Sequence, residues 1–200
     1  MNLPNKISLV RIAMIPVFVL VFFLKALPYN YVIAAVIFLV AAATDFVDGR
    51  IARSRGLVTN LGKFLDPIAD KVLVASAFIL LLAAKEDIFG ELGRFLEIVY
   101  IGVAVCVCLI LARELIISAF RQIAATNGIV MAAEKLGKYK TATQDACIFF
   151  MILAGSFSGT FGRIILGTGL VLFAAATVLT VLSGVTYVWK YRVVLKDTEK

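Results

Sequence analysis

Histidine is absent from this sequence, and charged residues are scarce. Only 16% of the 200 residues are charged and 62% are hydrophobic, whereas soluble domains have about 25% charged and about 45–50% apolar residues. The three cysteines, Cys106, Cys108 and Cys147, all lie inside apolar stretches. The lack of histidine and of suitably spaced cysteines argues against a zinc or copper site. The low charged fraction and the high apolar fraction together argue against a water-soluble fold, because so much apolar surface needs lipid as its solvent.

Long apolar runs dominate the sequence. Each approaches the roughly 20 residues that cross a bilayer as a helix, and lipid offers no hydrogen-bond partners to irregular backbone. We therefore predict an all-α integral membrane protein with six transmembrane helices, forming one domain over residues 1–200. The runs cover residues 7–25, 31–49, 64–84, 95–120, 142–161 and 165–189, with breaks marked by Pro28, Gly90, Gly128 and Gly162.

The first run has an arginine, Arg11, four residues inside its start. A short N-terminal interfacial segment on the membrane surface would tolerate this cation, because its side chain could extend to the headgroups. Elsewhere the cations follow the connections between runs. With the N-terminus in the cytoplasm, sixteen of the twenty Lys and Arg residues lie on the cytoplasmic side. This bias predicts cytoplasmic termini, and the short basic connections argue against nucleic acid as the partner of the net +7 charge.

Four carboxylates stand at the ends of the second and third runs. Asp45 and Asp48 are three residues apart, and Asp66 and Asp70 are four apart, so each pair shares one face of a helix. The connection between the runs is short, which predicts antiparallel neighbouring helices and convergence of all four acids. One alternative is that the acids only form ion pairs at the helix ends, with Arg50, Arg53, Lys63 and Lys71.

Four converging carboxylates would repel one another unless a cation lay between them. Oxygen ligands alone favour Mg²⁺, Mn²⁺ or Ca²⁺, and four acids exceed what one Mg²⁺ takes from a protein. We therefore expect two metal ions, an arrangement suited to phosphoryl displacement. Small residues on the acid-bearing faces would leave room for a ligand: Gly49, Ala52 and Gly62. Close helix packing is an alternative explanation for the two glycines. Arg53 and Arg55 are candidates to hold phosphates.

As one string, Asp45-x2-Asp48-Gly49-x2-Ala52-Arg53-x8-Gly62-x3-Asp66-x3-Asp70 resembles the motif of the CDP-alcohol phosphotransferase family at every position. The resemblance implies two ions, usually Mg²⁺ with Mn²⁺ as a substitute, bound by Asp45, Asp48, Asp66 and Asp70. It also implies that Asp70 is the catalytic base. Members of the family are typically homodimers with the site open to the cytoplasm. The implied nucleotide-binding residues are Asn5, Gly49, Ala52, Arg53 and Gly62.

Three further segments resemble a bacterial subgroup of that family whose acceptor is glycerol 3-phosphate. They are Asn2-Leu3-Pro4-Asn5 with Arg11 and Pro16, then Arg113-Glu114 with Arg121, and Lys135-x2-Lys138-x-Lys140-Thr141-x2-Gln144. Ser8 stands where threonine is usual and Ala112 where glycine is. The resemblance predicts transfer of a phosphatidyl group from CDP-diacylglycerol to glycerol 3-phosphate at the bacterial inner membrane.

An anionic acceptor needs cations, and a cluster of them lies near the fourth run and in the connection to the fifth. The candidate acceptor-binding residues are Arg113, Arg121, Lys135, Lys138 and Lys140. An alternative explanation is that the same residues only contact anionic lipid. Alternative acceptors within the family are inositol phosphate, serine and phosphatidylglycerol. A cation channel or transporter is the alternative from another class, but the acids cluster at one membrane edge.

Overall fold

The computed structural model describes residues 3–54, 60–126 and 135–191, and within them it leaves out the side chains of residues 3–5, 45–54, 60, 61, 63, 64, 66, 125, 126 and 135. This part of the chain is helical, with short turns and no strand. A short 3₁₀ segment spans Gly90–Phe95. The helices are α1 (Leu3–Phe23), α2 (Asn30–Ser54), α3 (Asn60–Ala83), α4 (Lys85–Phe89), α5 (Leu96–Thr126), α6 (Lys135–Ala154) and α7 (Gly159–Lys190).

The six predicted apolar runs correspond to the six long helices, α1, α2, α3, α5, α6 and α7. Within the described residues, three stretches are both long and apolar enough to cross a membrane: Lys6–Phe23, Lys85–Ala124 and Gly159–Lys190. The apolar part of α2, Asn30–Thr44, is shorter. Charged residues occupy one end of α2, α3 and α6, which shortens their apolar stretches. The protein is therefore an all-helical membrane protein.

The N-terminal prediction was wrong in its detail. From Leu3 to Phe23 the described chain is one unbroken helix, with Pro16 inside it. Arg11 does not extend to the surface: it is 0% exposed, and its Nε donates a hydrogen bond of 3.0 Å to Thr44 Oγ1 on α2. A charged side chain is stable inside a protein only when polar groups pair with it. Thr44 on α2 provides such a group for Arg11.

The turn between α1 and α2 brings these helices together as an antiparallel pair. Asn30 Nδ2 donates a 2.7 Å hydrogen bond to the Phe22 carbonyl near the end of α1. Buried aromatic rings then fill the interface, with Phe18 against Phe38 and Phe22 against Tyr31 at centroid separations of 5.9 and 4.9 Å. Such tilted and edge-on pairs are favourable ring geometries.

Helices α6 and α7 form a second closely packed pair. The chain turns at residues 155–158, so the predicted break at Gly162 was wrong. Gly162 lies inside α7 and is buried, and membrane helices accommodate glycine more readily than soluble ones. Further along α7, a Cβ on Gly169 would approach Met151 Cγ to 2.7 Å and the Met151 backbone nitrogen to 3.1 Å. Glycine is required there because the two helices are in such close contact.

Ion pairs and hydrogen bonds connect the helices at the other end of the bundle, away from the four acids. Asp87 on α4 receives hydrogen bonds from Lys25 Nζ, at 2.9 Å, and from the Tyr31 hydroxyl, at 2.8 Å. Glu91 accepts from the backbone N–H of Gly159, at 3.0 Å, and from Arg163 Nε, at 3.3 Å. These contacts hold the start of α7 beside the segment that leads into α5, so α5 and α7 run in the same direction.

Candidate active site

The four acids lie at one end of the helix bundle. Asp45 and Asp48 occupy the last three turns of α2, and Asp66 and Asp70 occupy the first three turns of α3. The two helices pack against each other, and only residues 55–59 separate them, outside the described part of the chain. The backbone therefore places both acid pairs at the same end of the bundle, while the convergence of the four side chains stays a prediction. Of the four side chains, only that of Asp70 is described.

The predicted metal ligands suit a hard cation by their chemistry. All four are carboxylates, the donor type that Mg²⁺ and Mn²⁺ prefer. They are placed three and four residues apart on adjacent helices. Among the described side chains no group of three or more potential ligands occurs, because three of the four acids lie outside that set. The donor set and its placement on two packed helices therefore fit a divalent metal site.

A cavity of about 230 Å³ opens beside Asp70, between α3, α5 and α6. Its lining combines polar and aliphatic side chains. Asp70 and Lys140 are the only two predicted site residues among its described lining. The polar lining residues are Asp70, Lys71, Glu114, Lys140, Thr141 and Gln144, and the apolar ones are Val72, Val74, Ala75, Leu111 and Leu115.

Glu114 connects the cations around this cavity. Its Oε1 accepts a hydrogen bond from Lys140 Nζ on α6 and another, at 3.0 Å, from Arg113 Nη1. Arg113 Nη2 donates to Ser183 Oγ on α7 at 2.9 Å. A Cβ on Gly184 would come within 3.0 Å of Arg113 Cγ, so the absence of a side chain there lets the arginine lie against α7. One carboxylate thus orients two cations from different helices.

The other described cations that were predicted to bind the acceptor do not line the cavity. Arg121 is exposed, and its Nε donates to the Tyr187 hydroxyl on α7 at 2.9 Å, while its guanidinium lies 5.1 Å from the centre of that ring. Lys138 is exposed on α6. The side chain of Lys135, the first residue of α6, lies outside the described set. Both arginines of α5 therefore contact α7, and Lys140 alone of the described cations predicted for the acceptor lines the cavity.

The predicted nucleotide-binding residues are only partly described. Gly62 is buried in the first turn of α3. The backbone of Asn5 lies in α1, and that of Gly49, Ala52 and Arg53 lies in the last turns of α2. All four positions lie at the same end of the bundle as the acids, but their side chains fall outside the description, so these assignments stay predictions.

Lys71 and Gln144 line the cavity and were missing from the predicted site. The sequence suggests Lys71 only as an ion-pair partner for the acids, yet Lys71 lines the cavity together with Asp70. Gln144 belonged to the basic segment that resembles the bacterial subgroup, and its spacing of four from Lys140 was a usable signal, since both share one helix face. Ser183 and Tyr187 on α7 are also four residues apart. They lie in an apolar run, however, and the sequence does not show that they bind the arginines of α5.

These features define the class: a helical membrane protein with two acid pairs at one end of its helix bundle and a cavity lined by Asp70, Lys71 and Lys140. The family model described as CDP-alcohol phosphatidyltransferase matches residues 1–190. The chain therefore belongs to that family, as its motif predicted.

Curated relatives refine the comparison. Three proteins named CDP-diacylglycerol–glycerol-3-phosphate 3-phosphatidyltransferase are similar to this chain. The one from Bacillus subtilis (strain 168) is 37% identical over 163 residues, covering 76% of this chain and 77% of the relative. The one from Rickettsia bellii (strain RML369-C) is 37% identical over 186 residues, or 93% of each chain. The one from Escherichia coli (strain K12) is 35% identical over 198 residues, or 98% of each.

Proposed function

We propose that the protein transfers the phosphatidyl group of CDP-diacylglycerol to sn-glycerol 3-phosphate, giving phosphatidylglycerophosphate and CMP. The names of its relatives support this activity, and so does the family. The structural observation that carries the proposal is that Asp70 and Lys140 line one cavity. One cavity would then supply a base for the acceptor hydroxyl and a cation for the acceptor phosphate.

Divalent metals are generally required in this family, and the finer assignment here is two Mg²⁺ ions, replaceable by Mn²⁺. Asp45, Asp48, Asp66 and Asp70 would hold them. When bound, the ions would offset the charge of the diphosphate and of the departing CMP. The small residues Gly49, Ala52 and Gly62, with Asn5 and Arg53, would receive the cytidine nucleotide.

Asp70 acts as the general base in this proposal. Its carboxylate takes the proton from the primary hydroxyl of glycerol 3-phosphate. The hydroxyl oxygen then attacks the phosphorus that carries the diacylglycerol, and the bond from that phosphorus to the oxygen bridging to CMP breaks. The bond electrons leave with CMP, so each turnover forms one phosphorus–oxygen bond and breaks another. A base must lie within hydrogen-bond reach of the proton it removes, which the cavity wall allows.

The acceptor phosphate would be bound by cations of α5 and α6. Lys140 lines the cavity, and Arg113 is oriented beside it through Glu114. Arg121, Lys135 and Lys138 extend the positive charge toward the end of the bundle and would attract the dianionic substrate. A charge-assisted contact to phosphate contributes roughly twice as much as a neutral hydrogen bond.

The membrane arrangement completes the proposal. Six spans with both termini in the cytoplasm would give a single domain over residues 1–200, in the inner membrane of a bacterial cell, with the site facing the cytoplasm. The distribution of Lys and Arg along the sequence supports this orientation. A homodimer is expected from the family resemblance.

An acceptor panel tests the proposed reaction. The purified protein would be incubated with labelled CDP-diacylglycerol and, in separate reactions, glycerol 3-phosphate, inositol phosphate, serine or phosphatidylglycerol. We expect labelled phosphatidylglycerophosphate and CMP in equal amounts from the first reaction alone. Preference for another acceptor would refute the acceptor assignment, and cation flux in liposomes without any transfer would refute the enzyme assignment.

A further inference from the structure

Gln144 has a buried amide oxygen that accepts no hydrogen bond from any described residue. The residue is only 3% exposed. Burying such a group without a partner is unfavourable, and native proteins contain few of them. The neighbouring polar residues of α6 differ in this respect: the hydroxyls of Thr141 and Thr143 both donate to backbone carbonyls of their own helix. The unpaired oxygen of Gln144 therefore points to a ligand.

The position of Gln144 indicates which ligand that is. It lines the same cavity as Asp70, Lys71 and Lys140, and it lies one helical turn after Lys140, on the same face of α6. A carboxamide oxygen accepts hydrogen bonds and repels anionic oxygens, so the partner must be a donor. The cavity thus combines a base, cations and a neutral acceptor within one small volume.

We propose that Gln144 is a specificity-determining residue that accepts a hydrogen bond from the secondary hydroxyl of the acceptor. The inference rests on the proposed function. Glycerol 3-phosphate has two hydroxyl donors near neutral pH, and its phosphate is an acceptor only. The primary hydroxyl gives its proton to Asp70 and the phosphate pairs with Lys71 and Lys140, which leaves the secondary hydroxyl for Gln144.

This contact would distinguish polyol phosphates from simpler hydroxyalkyl phosphates. An acceptor without the secondary hydroxyl can still present a nucleophile and a phosphate, but it leaves the Gln144 oxygen unpaired. Leaving a buried polar group unpaired should lower kcat/KM by roughly 5- to 150-fold. A site built for a hydroxyl rejects the analogue lacking it far better than an apolar pocket rejects an extra methylene.

The test compares glycerol 3-phosphate with 3-hydroxypropyl phosphate, which lacks only the secondary hydroxyl. For the wild-type protein we expect kcat/KM to be about 5- to 150-fold lower with the analogue. For Gln144→Met, a similar shape without the amide, we expect kcat/KM with glycerol 3-phosphate to fall toward the analogue's value. The value with the analogue should stay unchanged or rise, because no buried amide oxygen is then left unpaired, so the ratio between the two substrates should approach one.

Thr143→Val is the matched control, because it removes a hydroxyl from the adjacent position whose hydrogen bond stays within α6. It should keep the wild-type ratio. Equal losses with both substrates in Gln144→Met would mean a structural role and would overturn the inference. A wild-type protein that uses both substrates equally would overturn it without any variant. A wild-type protein that transfers nothing to glycerol 3-phosphate would instead overturn the proposed function, and the inference with it.

Discussion

Arg11 on α1 donates a 3.0 Å hydrogen bond from Nε to Thr44 Oγ1 on α2, at the residue immediately before Asp45. The Thr44 hydroxyl in turn donates to the Ala41 carbonyl at 2.6 Å. A fully buried guanidinium thus contacts the helical turn that begins the acid-bearing segment. This relationship gives α1 a part in positioning the site, although α1 itself carries none of the four acids.

Arg11→Ala should therefore destabilise the protein and lower its activity together. Losing a hydrogen bond to a charged group costs about 1.5–3 kcal/mol, and the space left by the side chain adds to that cost. Thermal unfolding and turnover in detergent would measure both effects. Lys6→Ala removes an exposed cation from the same helix and is the control. Equal behaviour of the two variants would contradict a structural role for Arg11.

Removing metal should abolish turnover. In EDTA we expect loss of activity, and added Mg²⁺ or Mn²⁺ should restore it, because four carboxylates without cations repel one another. Asp45→Asn, Asp48→Asn and Asp66→Asn should each abolish turnover while the protein still purifies as a folded species, since each substitution removes one anionic ligand. Full activity in EDTA would exclude the two-metal proposal.

Asp70→Asn tests the base. We expect kcat to fall by about 10²–10⁴-fold, the usual contribution of a positioned general base. The loss would be larger if the metal contact of Asp70 also matters. Rapid-quench measurement of a single turnover would separate chemistry from product release. A near-normal kcat would rule out Asp70 as the base while leaving its place at the cavity unchanged.

Lys140 and Lys138 lie two residues apart on α6, but only Lys140 lines the cavity. Lys140→Met should raise KM for glycerol 3-phosphate far more than KM for CDP-diacylglycerol, with a loss in kcat/KM of roughly 10- to 150-fold for one charge-assisted contact. Lys138→Met should have a smaller effect, because the Lys138 side chain is exposed and solvent screens its attraction for the phosphate. A larger effect at Lys138 would place acceptor binding outside the cavity.

Two glycines of α7 provide a stability test. Gly169→Ala should lower the melting temperature, because its Cβ would meet Met151 Cγ at 2.7 Å and the Met151 backbone nitrogen at 3.1 Å. Gly167→Ala should be neutral or stabilising, because a Cβ there meets nothing within 4 Å and alanine is favoured over glycine in a helix by about 1 kcal/mol. Melting curves of both variants in one detergent would measure the difference, and the opposite order would contradict the α6–α7 packing.

The local features of the site could be predicted from the sequence, since they depend on spacing within one helix. The acid pairs at Asp45, Asp48, Asp66 and Asp70 are of this kind, and so are the approximate positions of the long helices. Features that depend on a partner helix could not. The burial of Arg11 required knowing that Thr44 lies opposite it.

The directions in which the two arginines of α5 extend could not be predicted for the same reason. The sequence places Arg113 and Arg121 near one end of α5, but their direction is decided by Ser183, Gly184 and Tyr187 on α7. Gln144 was visible as part of a motif, yet only the packed structure shows that its amide oxygen is buried without a partner. The features that could not be predicted are therefore those that depend on contacts between helices distant in sequence.

Helices α5 and α7 contain 31 and 32 residues, which at about 1.5 Å per residue makes them about 46 and 48 Å long. The hydrocarbon layer is only about 30 Å thick. Because contacts around Glu91 align the two helices at one end, their surplus length accumulates at the other, where Arg121 meets Tyr187. In the proposed membrane orientation, that surplus would form a ledge in the headgroup layer and the adjoining water. A lipid diphosphate and a water-soluble phosphate would meet along this ledge with neither having to leave its own solvent.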